Sequence, residues 1–179
     1  MRKSKTFHLV LLGLLLGGFL LGGCEKLAGL NKVKRMELGK PAPDFVLKDS
    51  TGKIWKLSDL KGKAVFVNFW ATWCKPCRDE MPSMEALNKA MSDKPFQMLS
   101  IVYNDDLQLA ESFARRLGAT FPVLANPDSE LTEAYMITGV PETFLIDTQG
   151  VVRHKLIGPY DWEAPEMKNY VMGLFPPRK

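Results

Sequence analysis

The feature that most restricts what this chain can fold into is an apolar run that ends almost on a pair of cysteines. Ala64-Val65-Phe66-Val67-Asn68-Phe69-Trp70 carries β-branched and aromatic residues on both faces, which predicts a central strand covered on both sides. Trp73-Cys74-Lys75-Pro76-Cys77 follows at once, and then Met81, Met84, Leu87, Asn88 and Met91 recur at helical spacing. A dithiol at a strand-to-helix junction is much more specific than a C-x-x-C alone. Cys74 falls at the helix start, where free N–H groups and the macrodipole favour a thiolate. Pro76 sits early in the helix, where its missing N–H costs nothing. The i, i+3 spacing puts Cys77 beside Cys74, within disulfide reach.

Three other uses of the pair compete with dithiol–disulfide exchange. A structural zinc site needs four ligands, and after residue 23 only His154 joins these cysteines and Cys24. Haem attachment needs a histidine after the second cysteine, where Arg78 stands. A static disulfide would close a loop of only a few residues and stabilise little. Exchange is the reading the spacing favours.

The first 24 residues have a different character. Arg2, Lys3 and Lys5 precede an almost wholly apolar stretch from Phe7 to Leu21, the layout of a secretory signal. Leu21-Gly22-Gly23-Cys24 resembles the lipobox of bacterial lipoproteins, which implies cleavage before Cys24 and acylation of its thiol and new amine. An uncleaved N-terminal anchor helix is the alternative, and either arrangement puts the folded part outside the cytoplasmic membrane. The expected organisation is a signal peptide over 1–23, a lipidated tether over 24–40 and a folded domain over 41–179. The whole chain has 24 basic and 20 acidic residues; removing 1–23 takes away three basic residues and no acidic one, leaving a net charge of +1. The basic excess is therefore a targeting feature and no sign of a nucleic-acid partner.

Downstream of the tether, Phe45-Val46-Leu47 and Ile54-Trp55 flank the turn cluster Asp49-Ser50-Thr51-Gly52, a hairpin pattern. Phe96 to Tyr103 reads as a second buried strand and Leu107 to Leu117 as a helix closed by Gly118. Leu131 to Tyr135 is a short helical stretch. Thr143 to Ile146 and Val151 to Ile157 form a hairpin around Asp147-Thr148-Gln149-Gly150. A last helix is expected over Trp162 to Leu174, with Pro165 in its first turn or breaking it. Strands alternating with helices and ending in a hairpin predict an α/β fold with a mixed sheet.

Three motifs together, Trp73-Cys74-Lys75-Pro76-Cys77, Glu80-Met81-Pro82 and Gly139-Val140-Pro141-Glu142-Thr143-Phe144-Leu145-Ile146-Asp147, resemble the thioredoxin superfamily. Within it they are similar to the lipid-anchored extracytoplasmic thiol-disulfide oxidoreductases of the TlpA/ResA type. The resemblance covers roughly residues 37 to 172. It implies a thioredoxin-like fold with an N-terminal β-hairpin extension and a helical insert before a cis-proline loop. It implies that Pro141 is the cis proline facing the dithiol, and that Val140 offers backbone groups to an extended substrate segment. By the same resemblance Glu80, one turn after Cys77, tunes the thiols and helps move protons. Glu142 would lie near the site, as in reductases serving cytochrome c assembly. Trp73 is expected in packing and substrate contact, and His154 as an ordinary surface residue.

The function so implied is reduction of disulfides in extracytoplasmic proteins such as apocytochrome c, with no organic cofactor or metal. Electrons would come from a membrane donor of the CcdA or DsbD type. The reverse direction, a dithiol oxidase, is the nearest alternative: Lys75 beside Cys74 favours the thiolate and oxidising character, and Glu80 opposes it. Peroxidase chemistry of the peroxiredoxin kind needs P-x-x-x-[ST]-x-x-C, and Val67 and Ala71 occupy the proline and hydroxyl positions. A non-enzymatic, client-binding lipoprotein would not need both Cys74 and Cys77.

Overall fold

The computed structural model describes residues 33–126 and 129–177. The segment expected as signal peptide, Cys24 and the expected tether up to residue 32 lie outside the described residues. A five-stranded mixed sheet runs in the order β5-β4-β3-β6-β7, with β3 (Ala64–Trp70), β4 (Phe96–Val102), β5 (Val123–Leu124), β6 (Glu142–Ile146) and β7 (Val152–Ile157). β3 is parallel to β4 and antiparallel to β6, so the dithiol strand is central, as its two apolar faces require. All seven of its residues are buried. A separate antiparallel hairpin, β1 (Val46–Lys48) and β2 (Ile54–Lys56), precedes the sheet as expected.

Alternate residues of β3 serve two apolar layers. Phe66 and Trp70 face α1 (Lys75–Ala90), whose Met81, Met84 and Leu87 are fully buried against them. Val65, Val67 and Phe69 face the other layer, with Tyr135 and Phe144 packed edge-on at a ring separation of 4.9 Å. The second long helix, α2 (Leu107–Arg116), is capped by Asp106, which accepts from the Leu109 N–H at 2.8 Å. It is closed by Gly118, which takes a φ of 86° that a side chain would strain. Among the described residues the helical insert before the proline loop is the short α3 (Glu130–Ala134).

Two boundaries differ from the sequence reading. Residues 33–40, expected within the tether, are docked on the domain: Met36 is buried, its N–H donates to Ala134 O at 2.7 Å, and Gly39 and Lys40 bond the backbone of Val152. Apolar Val33 and Met36 inside a charged stretch account for the docking. The last helix, α4, runs only over Pro165–Met172, because Pro165 occupies its first turn and fixes its start. Trp162, expected in that helix, instead enters the core fully buried, edge-on to Phe66 at 4.6 Å. Among the described residues no helix is long and apolar enough to cross a membrane.

Candidate active site

The end of β3 and the start of α1 build the dithiol. Cys74 is the N-cap of α1, and the Cys77 N–H donates to its Sγ at 3.2 Å. The two sulfurs form a disulfide with the Cα atoms 5.3 Å apart. Cys77 has no exposed surface, whereas Cys74 keeps 5%. The asymmetry decides which sulfur an incoming group meets first. Trp73 stands beside it, 58% exposed.

The turn leading into the pair is held from the side by the segment after β4. Thr72 donates to Asp105 Oδ2 from its N–H at 2.7 Å and from its hydroxyl at 2.6 Å. Burial works to raise the Asp105 pKa, but the bonds from Thr72 and the Asp106 N–H outweigh it and hold the carboxyl below its ordinary value. The Trp73 indole N–H donates to Asn104 O at 3.3 Å. Asn104 reaches that position with a φ of 47°, a region asparagine tolerates better than most residues. Arg78 Nη1 donates to Thr72 O at 3.3 Å, closing the bracket from α1.

Facing the dithiol is the loop before β6. The Val140–Pro141 peptide is cis, and Val140 O lies 3.5 Å from Cys74 Sγ. Glu142 sits behind this loop, fully buried, and does not reach the surface where a substrate would lie. Its Oε1 accepts from the Thr138 N–H, the Thr138 hydroxyl and the Gly139 N–H at 2.8, 2.6 and 3.2 Å. Its Oε2 pairs with Lys155 Nζ at 3.0 Å, and Lys155 also donates to Met136 O at 2.6 Å. One ion pair, with its carboxylate fully buried and its ammonium partly so, thus ties both ends of the segment that carries Val140.

Glu80 lies one helical turn after Cys77 and is buried beneath the pair. Burial pushes its carboxyl up from 4.5 to about 7, against the opposing pull of three donors. These are the Tyr160 N–H at 3.2 Å, the Trp162 indole N–H at 3.4 Å and Asn68 Nδ2 at 3.1 Å. A carboxyl that titrates near neutrality next to a dithiol can exchange a proton with it. Lys75, the other charge near Cys74, is engaged by Asp79 at 2.6 Å on the exposed helix face.

Trp73, Cys74, Cys77, Glu80, Val140 and Pro141 therefore converge, while Glu142 supports the loop from within. The sequence reading missed Asn68, Asp105, Lys155, Tyr160 and Trp162. Asn68 alone carried a signal, as the single polar residue in an apolar strand. His154 is apart from this group, half-buried edge-on against Tyr170.

Comparison with known proteins agrees with this geometry. The family model described as AhpC/TSA matches residues 38–155. The thiol-disulfide oxidoreductase ResA of Bacillus cereus is 33% identical over 177 residues, covering 98% of this chain and 100% of the relative. A thiol:disulfide interchange protein of the thioredoxin family from Chlorobium tepidum superposes with a TM-score of 0.68 at 34% identity, covering 77% of this chain and 98% of its own. StoA from Bacillus subtilis superposes with a TM-score of 0.60 at 26% identity, covering 74% of this chain and 98% of its own. With a thioredoxin-like sheet, a capped dithiol and these relatives, the chain belongs to the AhpC/TSA family of the thioredoxin superfamily, as a thiol-disulfide oxidoreductase.

Proposed function

We propose that the protein works as a reductase, anchored by lipid on Cys24 to the outer face of the cytoplasmic membrane, and that its substrates are disulfides of extracytoplasmic proteins such as apocytochrome c. The observation that carries the direction is the buried Glu80 carboxyl below the dithiol. Its negative charge disfavours a neighbouring thiolate, and a reduced form that is not stabilised as thiolate makes a stronger reductant. Lys75, which would favour the opposite, is shared with Asp79 and exposed to solvent.

In this reading the Cys74 thiolate attacks a substrate disulfide, forming a mixed disulfide and releasing one substrate thiolate. Cys77 then loses its proton to Glu80 and attacks Cys74 Sγ. The second substrate thiolate leaves, two electrons have passed to the substrate, and Cys74–Cys77 is oxidised. Val140 and Pro141 align an extended substrate segment beside Cys74, and Trp73 covers it. Glu142 acts from behind by fixing the loop. A membrane donor of the CcdA or DsbD type returns two electrons. The names of the ResA relatives support exchange chemistry; the lipobox-like Leu21-Gly22-Gly23-Cys24 supports the anchor.

Equilibration against glutathione and dithiothreitol buffers tests the direction. The expected potential lies near the thioredoxin value of about −270 mV, and a value near the about −120 mV of DsbA would reverse the assignment. Cys24→Ser should abolish fatty-acid labelling and release the domain from membranes; unchanged retention would favour an uncleaved anchor.

A further inference from the structure

Asn68 is fully buried in β3 and makes both of its hydrogen bonds from one atom. Nδ2 donates to Glu80 Oε1 at 3.1 Å and to Thr143 Oγ1 at 3.0 Å, while Oδ1 is buried with no donor among the described residues. This arrangement suits a charged Glu80, whose two oxygens then meet only donors. It does not suit the neutral acid. A proton on Oε2 would confront the Tyr160 and Trp162 N–H groups, which are fixed by backbone and by a buried indole. A proton on Oε1 would confront Asn68 Nδ2. A neutral Glu80 therefore needs an acceptor, and the orphaned Oδ1 belongs to the one neighbour that can turn to supply it.

We propose that Asn68 is a positioning residue that reverses its amide with the proton on Glu80. With Glu80 charged, Nδ2 donates to the carboxylate and to the Thr143 oxygen. With Glu80 neutral, Oδ1 takes the same place and accepts from the acid Oε1–H and from the Thr143 hydroxyl. The oxygen and NH2 of an amide occupy nearly the same volume, so the reversal needs no extra room. Both states keep two hydrogen bonds, because Thr143 can either accept or donate. Glu80 is then satisfied in both its charged and its neutral form, and the unmatched end is in each case that of Asn68, its Oδ1 in one state and its NH2 in the other.

Besides the Cys74–Cys77 pair at its start, α1 carries Lys75 and Asp79 paired with each other, Arg78 bonded to Thr72 O, and Glu85 bonded to Thr120 and paired with Lys89. The loop before α4 brings Tyr160 and the exposed Asp161 and Glu163. Glu142, adjacent to Thr143 on β6, points to the opposite side of the sheet and pairs with Lys155. In the oxidised protein the cysteines carry no proton, which leaves Glu80 to drive the change.

The proposal rests on the exchange reading only for its consequence in turnover, so the test reads the amide itself. In the oxidised protein, NMR measures the through-space contact between the Asn68 amide protons and the Thr143 methyl as a function of pH. The contact should be strong above about pH 8 and several-fold weaker below about pH 6, following the Glu80 titration. In Glu80→Gln the side-chain oxygen must face the Tyr160 and Trp162 donors, which turns its NH2 to Asn68. The contact should then be weak at every pH. A contact equally strong at both ends of the titration, or one that still changes with pH in Glu80→Gln, would overturn the proposal.

Discussion

Glu80→Gln is predicted to stabilise the oxidised protein at alkaline pH and to leave it almost unchanged at acid pH. The carboxyl has a folded-state pKa of about 7 against an ordinary value of 4.5. Between those values the folded protein binds more protons than the unfolded chain, so its stability falls as pH rises through the window. Below 4.5 both states are protonated and there is no difference; above about 7 the full penalty of a buried carboxylate is present. A displacement of that size corresponds to about 3 kcal/mol. The amide of glutamine never ionises and escapes the penalty. Any fixed change in hydrogen bonding shifts the variant equally at all pH, so the informative quantity is the change in the difference between the two proteins. Urea unfolding followed by tryptophan fluorescence from about pH 4 to 9 should show the variant gaining about 3 kcal/mol relative to the native protein. A difference that is flat with pH, or that moves in favour of the native protein as pH rises, would refute the placement of Glu80 as a buried, charge-penalised acid.

Other consequences follow from the supports of the site. Lys155→Met leaves Glu142 buried without its ion-pair partner and should cost about 3–5 kcal/mol in urea unfolding, whereas adding Glu142→Gln should recover part of it; an exposed pair would give less than about 1 kcal/mol. Asp105→Ala removes the acceptor of both Thr72 bonds, and a loss of about 1–3 kcal/mol together with a slower reaction of Cys74 with a disulfide substrate is expected. If the stability falls but the reaction rate does not, the Asp105 bracket holds the fold without shaping the dithiol turn. Trp73→Ala, at an exposed position, should leave unfolding within about 0.5 kcal/mol of native while raising KM for protein disulfides more than for small ones.

Much of the fold was legible because its strongest signals are local. The apolar run of β3, broken only by Asn68, identified a central strand, and the dithiol at its end marked the helix start that the N-cap geometry of Cys74 shows. Helical spacing put Glu80 near Cys77, but its burial depends on Tyr160 and Trp162, which are brought in from 80 and 82 residues away. Trp162 was hidden for a related reason. Its place next to Pro165 looked like a helix start, whereas its ring fills the core over Phe66. The support of the cis-proline loop was equally non-local: Glu142 stood in a recognised motif, but its partner Lys155 lies on the neighbouring strand, with no periodic signal of its own. Residues 33–40 read as tether because charge dominates their composition, and two apolar side chains were enough to dock them.

The most direct test of the account is a trapping measurement on Cys77→Ser in the native host. The variant can form a mixed disulfide on Cys74 but lacks the thiol that resolves it. Adducts collected from cells should be extracytoplasmic proteins joined through Cys74, apocytochrome c precursors among them, and a further Cys74→Ser change should abolish them. Absence of any adduct on Cys77→Ser, with the protein present and folded, would contradict exchange through Cys74.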